Sequence, residues 1–411
     1  KTENGVKIIP VVVHVIHDGG GENLTISQIQ NGIDQLNKNI NGQADNFLSV
    51  TPNVFAALRG DDLNVEFRLA KKDPLGNPTS GIVRVQSELT VATVTETLSR
   101  NRVKALSYWN SFQYFNIWVV KSMPAGPNPE VDPALNGYAQ FPNSGRMSTD
   151  GVVITANTFA VGETIAHEVG HWLGLCHTWA CGGGTCGDDG IKDTPTDLQG
   201  TFDYNGTFPF HVGDIGIGAG CLPDSVNWAG EMYMNYMDYQ SDAVQSMFTK
   251  DQHEAMNQTL DGVYDEVSAN SDIGYREYMW SNENIEATGT SDGYIILDDT
   301  CSSKIDFVEQ YNDRNVCLGT ENWFRSIIAL DITSAIWNFG DGNIEPSDYV
   351  AQFGYYKKHT YANTGQYDVK FTIQYNELRE ARASSLADLD ITNASSYDSI
   401  VENLIVQGTQ A

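Results

Sequence analysis

The stretch HEVGHWLGLCH, residues 167–177, decides the fold, because it places three histidines and one glutamate close together in a chain with only eight histidines. In a helix, His167 and His171 are one turn apart, so both imidazoles project from the same face. Gly174 tolerates the backbone angles that end a helix abruptly. His177 follows three residues later, where the returning chain can bring it back to the helix. The stretch therefore predicts a helix, a sharp turn and three converging imidazoles.

Three imidazoles match the ligand set of a zinc ion that keeps its fourth position open, as catalytic zinc sites do. Glu168 follows the first ligand directly, where its carboxylate can reach a water on the metal. Zinc lowers the pKa of such a water, and Glu168 would act as general base and then pass the proton to the leaving amine of a cleaved peptide. Two other interpretations are a structural zinc closed by Cys176 and a core helix with incidental histidines. The first is disfavoured because adjacent residues rarely reach the same ion.

Composition places the chain among folded proteins and argues against nucleic acid as a partner. Hydrophobic residues make up 41% of the chain and aromatic residues 10%, as in globular domains. The formal net charge of −29 would repel phosphate groups. The longest apolar runs, such as IIPVVVHVI at residues 8–16, are shorter than the ~20 residues of a membrane helix. The first residues lack the features of a leader, so the chain is expected to be cytosolic or to have lost a leader and a pro-segment.

The six cysteines favour disulfide bonds in an oxidising compartment. Their number is even, and the absence of a CxxC pair argues against a redox motif or a zinc ribbon. They form two groups along the chain, namely Cys176, Cys181, Cys186 and Cys221, then Cys301 and Cys317. The pattern indicates a secreted protein.

The pattern of residues 1–268 predicts an α/β or α+β domain. KIIPVVVHVI at residues 7–16 is a buried strand by its β-branched content, and residues 27–40 have apolar side chains at helical spacing after a capping Thr25 or Ser27. Further strands are predicted within residues 63–76, 114–123 and 150–159, and a closing helix within residues 248–263. Residues 182–219 are rich in Gly, Asp, Thr and Pro, and such long loops in compact domains are usually functional or ion-bound.

The remainder of the chain is predicted to be a connector followed by an all-β domain. The connector, residues 269–299, contains enough aromatic residues to pack on the preceding domain. Residues 300–411 alternate in short strands, for example AIWNFGDG at 335–342 and YDVKFTIQY at 367–375. Such strands separated by turn residues indicate a β-sandwich.

Over most of its first two thirds the chain resembles the pappalysin family of metzincin metalloproteases, in particular its secreted bacterial members of the ulilysin kind. HExxHxxGxxH is the metzincin signature. The other resembling stretches are NYMDYQSDAVQSMFT (235–249), IPVVVHVIH (9–17), VEFRLAKKDPLGNPTSGIVR (65–84) and DDGIKDTP (188–195). The resemblance implies a metzincin catalytic domain of the α+β/α/β class, with a twisted mixed sheet and an active-site helix.

The resemblance also assigns roles to single residues. It implies one catalytic zinc ion, with Glu168 as general base and the ligands His167, His171 and His177. Met237 would pack beneath the metal. Tyr239 would lie near the zinc and hydrogen-bond the tetrahedral intermediate, the alternative being a buried aromatic. Asp242 would lie at the base of the pocket for the residue after the scissile bond, which implies cleavage before Arg or Lys.

A structural calcium ion is implied by the loop after the third histidine. Hard oxygen donors are supplied there by Asp188, Asp189, Asp193 and Thr194; the alternative is a solvated Asp-rich turn. Family members often have a cysteine where this chain has Val244, so one disulfide bond of the family is not expected. Cys186–Cys221 is the leading candidate for a bridge between the loops, with Cys176–Cys181 as a second pairing.

The C-terminal region resembles a PKD domain, an immunoglobulin-like sandwich, through WNFGDGN at 337–343 and HTYANTGQYDVKFTI at 359–373. Trp337 and Phe339 are expected in its core, and Tyr361 and Tyr367 are expected to be structural. Cys301 and Cys317 can bridge within it. Modules of this kind act as spacers or bind substrate or a surface polymer, and both roles stay open here.

These features predict a secreted, monomeric zinc metalloendopeptidase that acts on proteins or peptides, with zinc and calcium as cofactors and without a membrane span or nucleic-acid partner. One alternative is a catalytically weak adhesin or binding protein on a metzincin scaffold. The intact Glu168 argues against it, because loss of that carboxylate is the simplest way to silence such a site. Another alternative is a zinc hydrolase with a non-peptide substrate.

Overall fold

The computed structural model describes most of the chain up to residue 294 and many of the strands beyond it. The described residues are 5–74, 76, 78–92, 97–124, 134–142, 144–179, 189–195, 200, 230–262, 275–294, 304–306, 315–319, 321–326, 332–350, 354–376 and 395–407.

The sheet of the first region is mixed, with β1 at its centre. Its strands are β1 (Lys7–His17), β2 (Val65–Leu69), β3 (Ile82–Gln86), β4 (Phe115–Val120), β5 (Gly137–Ala139) and β6 (Val152–Thr155). β4 lies parallel to one edge of β1, while β2 and β3 share the other edge and are also parallel to it. β6 is parallel to β4, and β5 pairs antiparallel with β6 at the end of the strand order. The expected mixed sheet is confirmed.

The three predicted helices, α1 (Ile26–Ile40), α6 (Glu163–Trp172) and α7 (Lys250–Leu260), begin and end close to the predicted positions. The other described helices were not predicted; they are α2 (Phe47–Val50), α3 (Asn53–Ala56), α4 (Thr97–Ala105), α5 (Ala156–Phe159), α8 (Tyr275–Met279) and α9 (Asn282–Ala287). Of the two predicted caps of α1, Thr25 is the one used: its hydroxyl accepts from the Gln28 N–H, and the Gln28 side chain accepts from the Thr25 N–H. This capping box satisfies two amide groups that the helix itself leaves free.

Side chains of β1 alternate between two apolar layers. Val11 and Val13 belong to the cluster that includes the apolar faces of α1 and α6. Val12 and Ile16 belong to the cluster on the other side of the sheet, with Trp118. Because both faces are covered, the strand is buried from its second to its tenth residue, which explains why its sequence is apolar on both faces apart from His14.

His14 lies in the second layer as a structural residue. Its Nδ1 is 2.7 Å from the Ser107 hydroxyl and its Nε2 is 2.9 Å from Asn116 Oδ1. The ring also stacks on Trp118 at a centroid distance of 5.4 Å. Complete burial lowers the pKa of His14 to about 3, so the ring is neutral. His14 is therefore a core residue held by hydrogen bonds and ring stacking.

The segment 275–294 packs on the first region through a buried ion pair. Arg276 of α8 and Asp150, which precedes β6, are both fully buried, and two nitrogen–oxygen pairs of their side chains lie 3.2 and 3.3 Å apart. The Arg276 guanidinium lies 3.8 Å over the Trp172 ring at the end of α6, and the Trp172 indole donates to Asp150 at 3.3 Å. This part of the connector is thus tied directly to the helix that carries the histidines.

The C-terminal strands form two layers in which most pairings are antiparallel, and this confirms the predicted immunoglobulin-like class. They are β7 (Lys304–Asp306), β8 (Asn315–Cys317), β9 (Asn322–Ser326), β10 (Ile332–Asn338), β11 (Ile344–Pro346), β12 (Asp348–Val350), β13 (Gly354–His359), β14 (Gly365–Asn376) and β15 (Ser395–Gln407). One layer has the order β11-β10-β14-β15 and the other β12-β13-β9-β7. Two pairings are parallel, β8 on β15 and β7 on β9. β15 also meets β3 at a single residue pair, Ser399 with Gln86.

Aromatic residues fill this second core as predicted. Trp337, Phe339 and Tyr361 are fully buried, and the Tyr361 hydroxyl donates to the Phe339 carbonyl at 2.9 Å. Tyr367 is half-buried and stacks on Tyr361 at a centroid distance of 4.5 Å. Cys301 lies outside the described residues. Among the described helices, none has the length and apolarity to cross a membrane.

Candidate metal centre

The helix α6 ends where the sequence predicted, and its end returns His177 to the site. The Gly174 N–H donates to the His171 carbonyl, and the Leu175 N–H donates to the Gly170 carbonyl, both at 2.9 Å. Gly174 itself has φ +94°, a left-handed conformation that side-chain-bearing residues rarely adopt. The chain therefore reverses within two residues of the helix.

The three predicted ligands converge. The metal-binding atoms of His167, His171 and His177 all lie within 4.8 Å of one another. The Nε2 atoms of His171 and His177 are 3.0 Å apart. Across the described part of the chain, this is the only such group of three or more His, Cys, Asp or Glu side chains.

Backbone carbonyls fix the tautomers of two of these histidines. Nδ1 of His167 is 2.5 Å from the Tyr236 carbonyl, and Nδ1 of His171 is 2.7 Å from the Leu175 carbonyl. Because a carbonyl only accepts, each Nδ1 carries the proton and each Nε2 presents a lone pair to the centre. Burial lowers the pKa of His167 to about 4 and that of His177 to about 3, so these rings are neutral at pH 7. Neutral nitrogen lone pairs that face one another fit a zinc ion.

Glu168 lies beside the three histidines with a carboxylate that the fold leaves available. The residue is 5% exposed, and no described residue hydrogen-bonds its Oε2. A Cβ at Gly137 of the edge strand β5 would lie 2.6 Å from Glu168 Oε1, so the carboxylate is held between α6 and β5. Burial raises the pKa of Glu168 to about 8. A group with this pKa can both accept and return a proton near neutral pH.

Met237 packs against α6 at Gly170, which lies between the two histidines of that helix. It is fully buried, and a Cβ at Gly170 would lie only 2.4 Å from its sulfur. Its N–H donates to Asn235 Oδ1 at 2.8 Å, and Asn235 in turn pairs with Gln252 of α7. The turn that supplies the carbonyl to His167 is thus fastened to both α6 and α7.

Tyr239 lies at the open side of the site and is 40% exposed, which does not match the alternative of a buried aromatic. Its ring centroid is 4.6 Å from that of His177 and 5.8 Å from that of His167. Burial, and then the charge of Glu168, raise the pKa of Tyr239, so its hydroxyl keeps its proton. Trp179 stacks on His177 at 4.4 Å. Trp179 was not predicted, although an aromatic residue two positions after a ligand is a usable signal.

Asp242 lies next to the first turn of α6. The Thr164 hydroxyl donates to Asp242 Oδ1 at 3.1 Å, and burial raises the pKa of Asp242. The charge of Asp242, after burial, also raises the pKa of Glu163, the first residue of α6, to about 7.

The loop predicted to bind calcium is described only in part. Asp189 Oδ1 accepts from the Ile191 N–H at 2.9 Å and from the Thr194 hydroxyl at 2.7 Å. Asp193 accepts from the Thr249 hydroxyl at 2.6 Å and from the Asp251 N–H at 3.1 Å, at the start of α7. Asp188 lies outside the described residues. The carboxylates of Asp189 and Asp193 therefore form hydrogen bonds within the loop and to the start of α7.

Cys176 is disulfide-bonded and is thus not a metal ligand. Its predicted partner, Cys181, lies outside the described residues, and so does the predicted pair Cys186–Cys221. The pairing stays a prediction.

Comparison with known proteins gives two family matches. Residues 98–261 match the family described as Pregnancy-associated plasma protein-A, and residues 310–386 match the PKD domain. An extracellular metalloprotease of Verticillium alfalfae is 38% identical over 136 residues, which are 30% of this chain and 43% of that protein. An extracellular metalloprotease of Pyricularia oryzae is 30% identical over 160 residues, which are 36% of this chain and 48% of that protein. The chain thus spans less than half the length of these two curated relatives.

Solved structures match over a longer stretch. Mirolysin in complex with compound 9 is 33% identical, with a TM-score of 0.54, over 69% of this chain and 99% of that chain. Mature mirolysin of Tannerella forsythia in complex with a cleaved peptide is also 33% identical, with a TM-score of 0.53, over 69% and 98%. With the histidine site, the mixed sheet and these similarities in agreement, the chain belongs to the pappalysin family of metalloproteases and carries a PKD domain.

Proposed function

We propose that the protein is a secreted zinc-dependent endopeptidase in which Glu168 is the general base. The observation that carries this proposal is the convergence of three neutral imidazoles beside a buried carboxylate oxygen that no described residue hydrogen-bonds. The family membership and the names of the relatives support it. Secretion is supported by the relatives named extracellular metalloproteases and by the disulfide bond of Cys176.

Each residue of the site contributes a separate step. Zinc held by His167, His171 and His177 would supply a Lewis acid that polarises the peptide carbonyl and lowers the pKa of a water molecule. Glu168 takes the proton of that water and returns it to the leaving amine, which its perturbed pKa allows. Tyr239 keeps its phenolic proton and can donate it as a hydrogen bond to the developing oxyanion.

The edge strand β5 offers a place for an extended substrate. It lies at the end of the strand order and pairs on one side with β6. An extended peptide can add to such an edge through backbone hydrogen bonds. Gly137 brings this strand close to Glu168, so a peptide lying along β5 would pass the general base.

Specificity is assigned to Asp242, whose half-buried carboxylate faces the first turn of α6. A partly desolvated carboxylate favours a cationic partner and disfavours an apolar or acidic one. We therefore expect cleavage before Arg or Lys. A structural calcium ion at the loop of Asp189, Asp193 and Thr194, a monomeric state and a spacer or binding role for the PKD domain complete the proposal.

A peptide-library digest analysed by mass spectrometry tests activity, specificity and metal dependence together. The full chain is dialysed against a chelator and then supplied with zinc alone or with zinc and calcium. We expect cleavage before Arg and Lys only after zinc is restored, and a higher melting temperature when calcium is present as well.

Each arm of this digest has its own contradicting outcome. Cleavage that survives the chelator would contradict the zinc mechanism. A zinc-loaded protein that cleaves no peptide would favour the binding-protein alternative. Cleavage without preference for Arg or Lys would remove the role of Asp242, and an unchanged melting temperature would remove the calcium site.

A further inference from the structure

The third predicted ligand, His177, is held differently from the other two. Nδ1 of His167 and Nδ1 of His171 each face a backbone carbonyl, at 2.5 and 2.7 Å. No described residue forms a hydrogen bond with Nδ1 of His177, whose Nε2 lies 3.0 Å from Nε2 of His171. Metal-binding histidines are normally oriented through the ring nitrogen that does not face the metal. His177 also lies beyond the end of α6, so the helix itself does not fix it. Its ring must be oriented by other contacts.

Trp179 makes the closest ring contact of His177 among the described residues. The two ring centroids are 4.4 Å apart and the ring planes differ by 8°, so the indole stacks nearly parallel on the imidazole. The Tyr239 ring meets the same imidazole edge-on, with centroids 4.6 Å apart and an angle of 69° between the planes. Trp179 and Tyr239 also meet edge-on, at 4.7 Å and 70°. The three rings therefore pack on one another at the open side of the metal site.

The backbone at Gly200 confines this group of rings from a further side. A Cβ at Gly200 would lie 2.8 Å from Cη2 of Trp179 and 3.1 Å from Cβ of Tyr239. Since a side chain has no room there, the Gly200 backbone is in contact with both residues. The indole thus has His177 on one face and the Gly200 backbone at its edge, which restricts its rotamers.

The position of Trp179 is not explained by the apolar cores. Trp179 is half-buried and belongs to none of the three apolar clusters that the described residues form. Packed aromatic pairs contribute free energy beyond the area that they bury. Removal of the indole should therefore affect the orientation of His177 more than the stability of the fold.

The orientation of His177 bears directly on zinc affinity. When only part of the molecules hold all three ligands in place, the apparent dissociation constant is the intrinsic constant divided by that fraction. A contact that keeps the imidazole in one rotamer before zinc arrives therefore raises the affinity without touching the metal.

We propose that Trp179 is a positioning residue whose indole stacks on His177 and replaces the backbone hydrogen bond that orients each of the other two ligands. The inference rests on the zinc site of the proposed function and not on the cleavage of peptides. It assigns a role to a residue that takes no part in the proposed cleavage step.

The test measures the zinc dissociation constant of the full chain by competition with a chromophoric chelator. Loss of a group that orients a ligand typically weakens metal binding about 10–100-fold, and we expect this increase in the dissociation constant of Trp179→Ala. At saturating zinc the variant should still bind one ion per chain. Trp179→Phe should recover most of the affinity, because a phenyl ring can also stack on the imidazole.

Two control variants separate this role from general effects. Trp280→Ala removes another half-buried indole, which packs on the core of the first region and donates to the Leu260 carbonyl at 2.9 Å. It should lose stability and keep its zinc affinity. Phe141→Ala removes a ring that lies 4.9 Å from that of His171. Because a carbonyl already orients His171, zinc affinity should change much less than in Trp179→Ala.

The outcomes that would overturn the inference are specific. A zinc dissociation constant of Trp179→Ala equal to that of the unmodified protein would overturn it, and so would an equally large increase in Phe141→Ala or no recovery in Trp179→Phe. If Trp179→Ala does not fold, Trp179→Leu keeps apolar volume without a ring and should show the same increase. The expected zinc affinities in a protein that cleaves no peptide would overturn the proposed peptidase function and leave this inference standing.

Discussion

At the scale of single residues, the site depends on a glycine that leaves room for its neighbours as well as on the ligands. Gly170 lies between the two helical ligands and faces Met237, whose sulfur would be 2.4 Å from a Cβ at that position. The Phe248 ring would be 3.3 Å from the same added Cβ. The close approach of α6 to the methionine therefore requires glycine.

A double-mutant cycle tests this contact. Gly170→Ala should gain about 1 kcal/mol in helix propensity but lose about 1–3 kcal/mol through overpacking, so we expect a net loss of stability. In the Met237→Ala background the clash is removed, and the same change should become neutral or stabilising. Urea unfolding of the zinc-free proteins measures each free energy of unfolding. Equal effects of Gly170→Ala in both backgrounds would contradict the contact.

Sequence reasoning found the ligands because their spacing carries the geometry. Gly174 was predicted from its place in the pattern, since a helix end followed by a third ligand needs a reversal. Gly170 was missed because its role depends on Met237, which is far away along the chain. Only the folded chain brings these partners together.

At the scale of elements, a buried ion pair ties the connector to α6, the helix that carries His167 and His171. Arg276 of α8 pairs with Asp150 and covers Trp172 at the end of α6. Such short helices as α8 and α9 are unstable alone, so their position must come from contacts of this kind. The packing of the connector on the first region was predicted from the sequence. These two helices and the three-residue strand β5 were not predicted, because segments this short show no periodicity.

The ion pair can be compared with an exposed one. Arg276→Met leaves Asp150 buried without its partner, and we expect a loss of about 3–5 kcal/mol in the free energy of unfolding. The control is Arg68→Met, which breaks pairs with Glu66 and Asp292 at the surface and should cost about 1 kcal/mol or less. Urea unfolding measures both. Similar losses in the two variants would show that burial of the pair does not matter.

At the scale of the whole molecule, both fold classes were predictable from the sequence. The long apolar run of β1 reflects burial on both faces of its sheet. The alternation of apolar and polar residues in β10 and β14 reflects burial on one face. The contact of β15 with β3 was not predictable, because no local pattern encodes which distant strand edge a segment meets. The pairing of the cysteines is equally nonlocal, and the sequence left it open.

The central claim is that three histidines hold a zinc ion and that Glu168 is the general base for the attacking water. Its most direct test combines zinc content with turnover in Glu168→Gln and, as a control, His177→Ala. Glu168→Gln should keep one zinc ion per chain while kcat/KM for a cleaved peptide falls by about 10²–10⁴-fold. His177→Ala should lose both zinc and turnover, because it removes a ligand. Glu168→Gln that keeps both its zinc and its turnover would contradict the account.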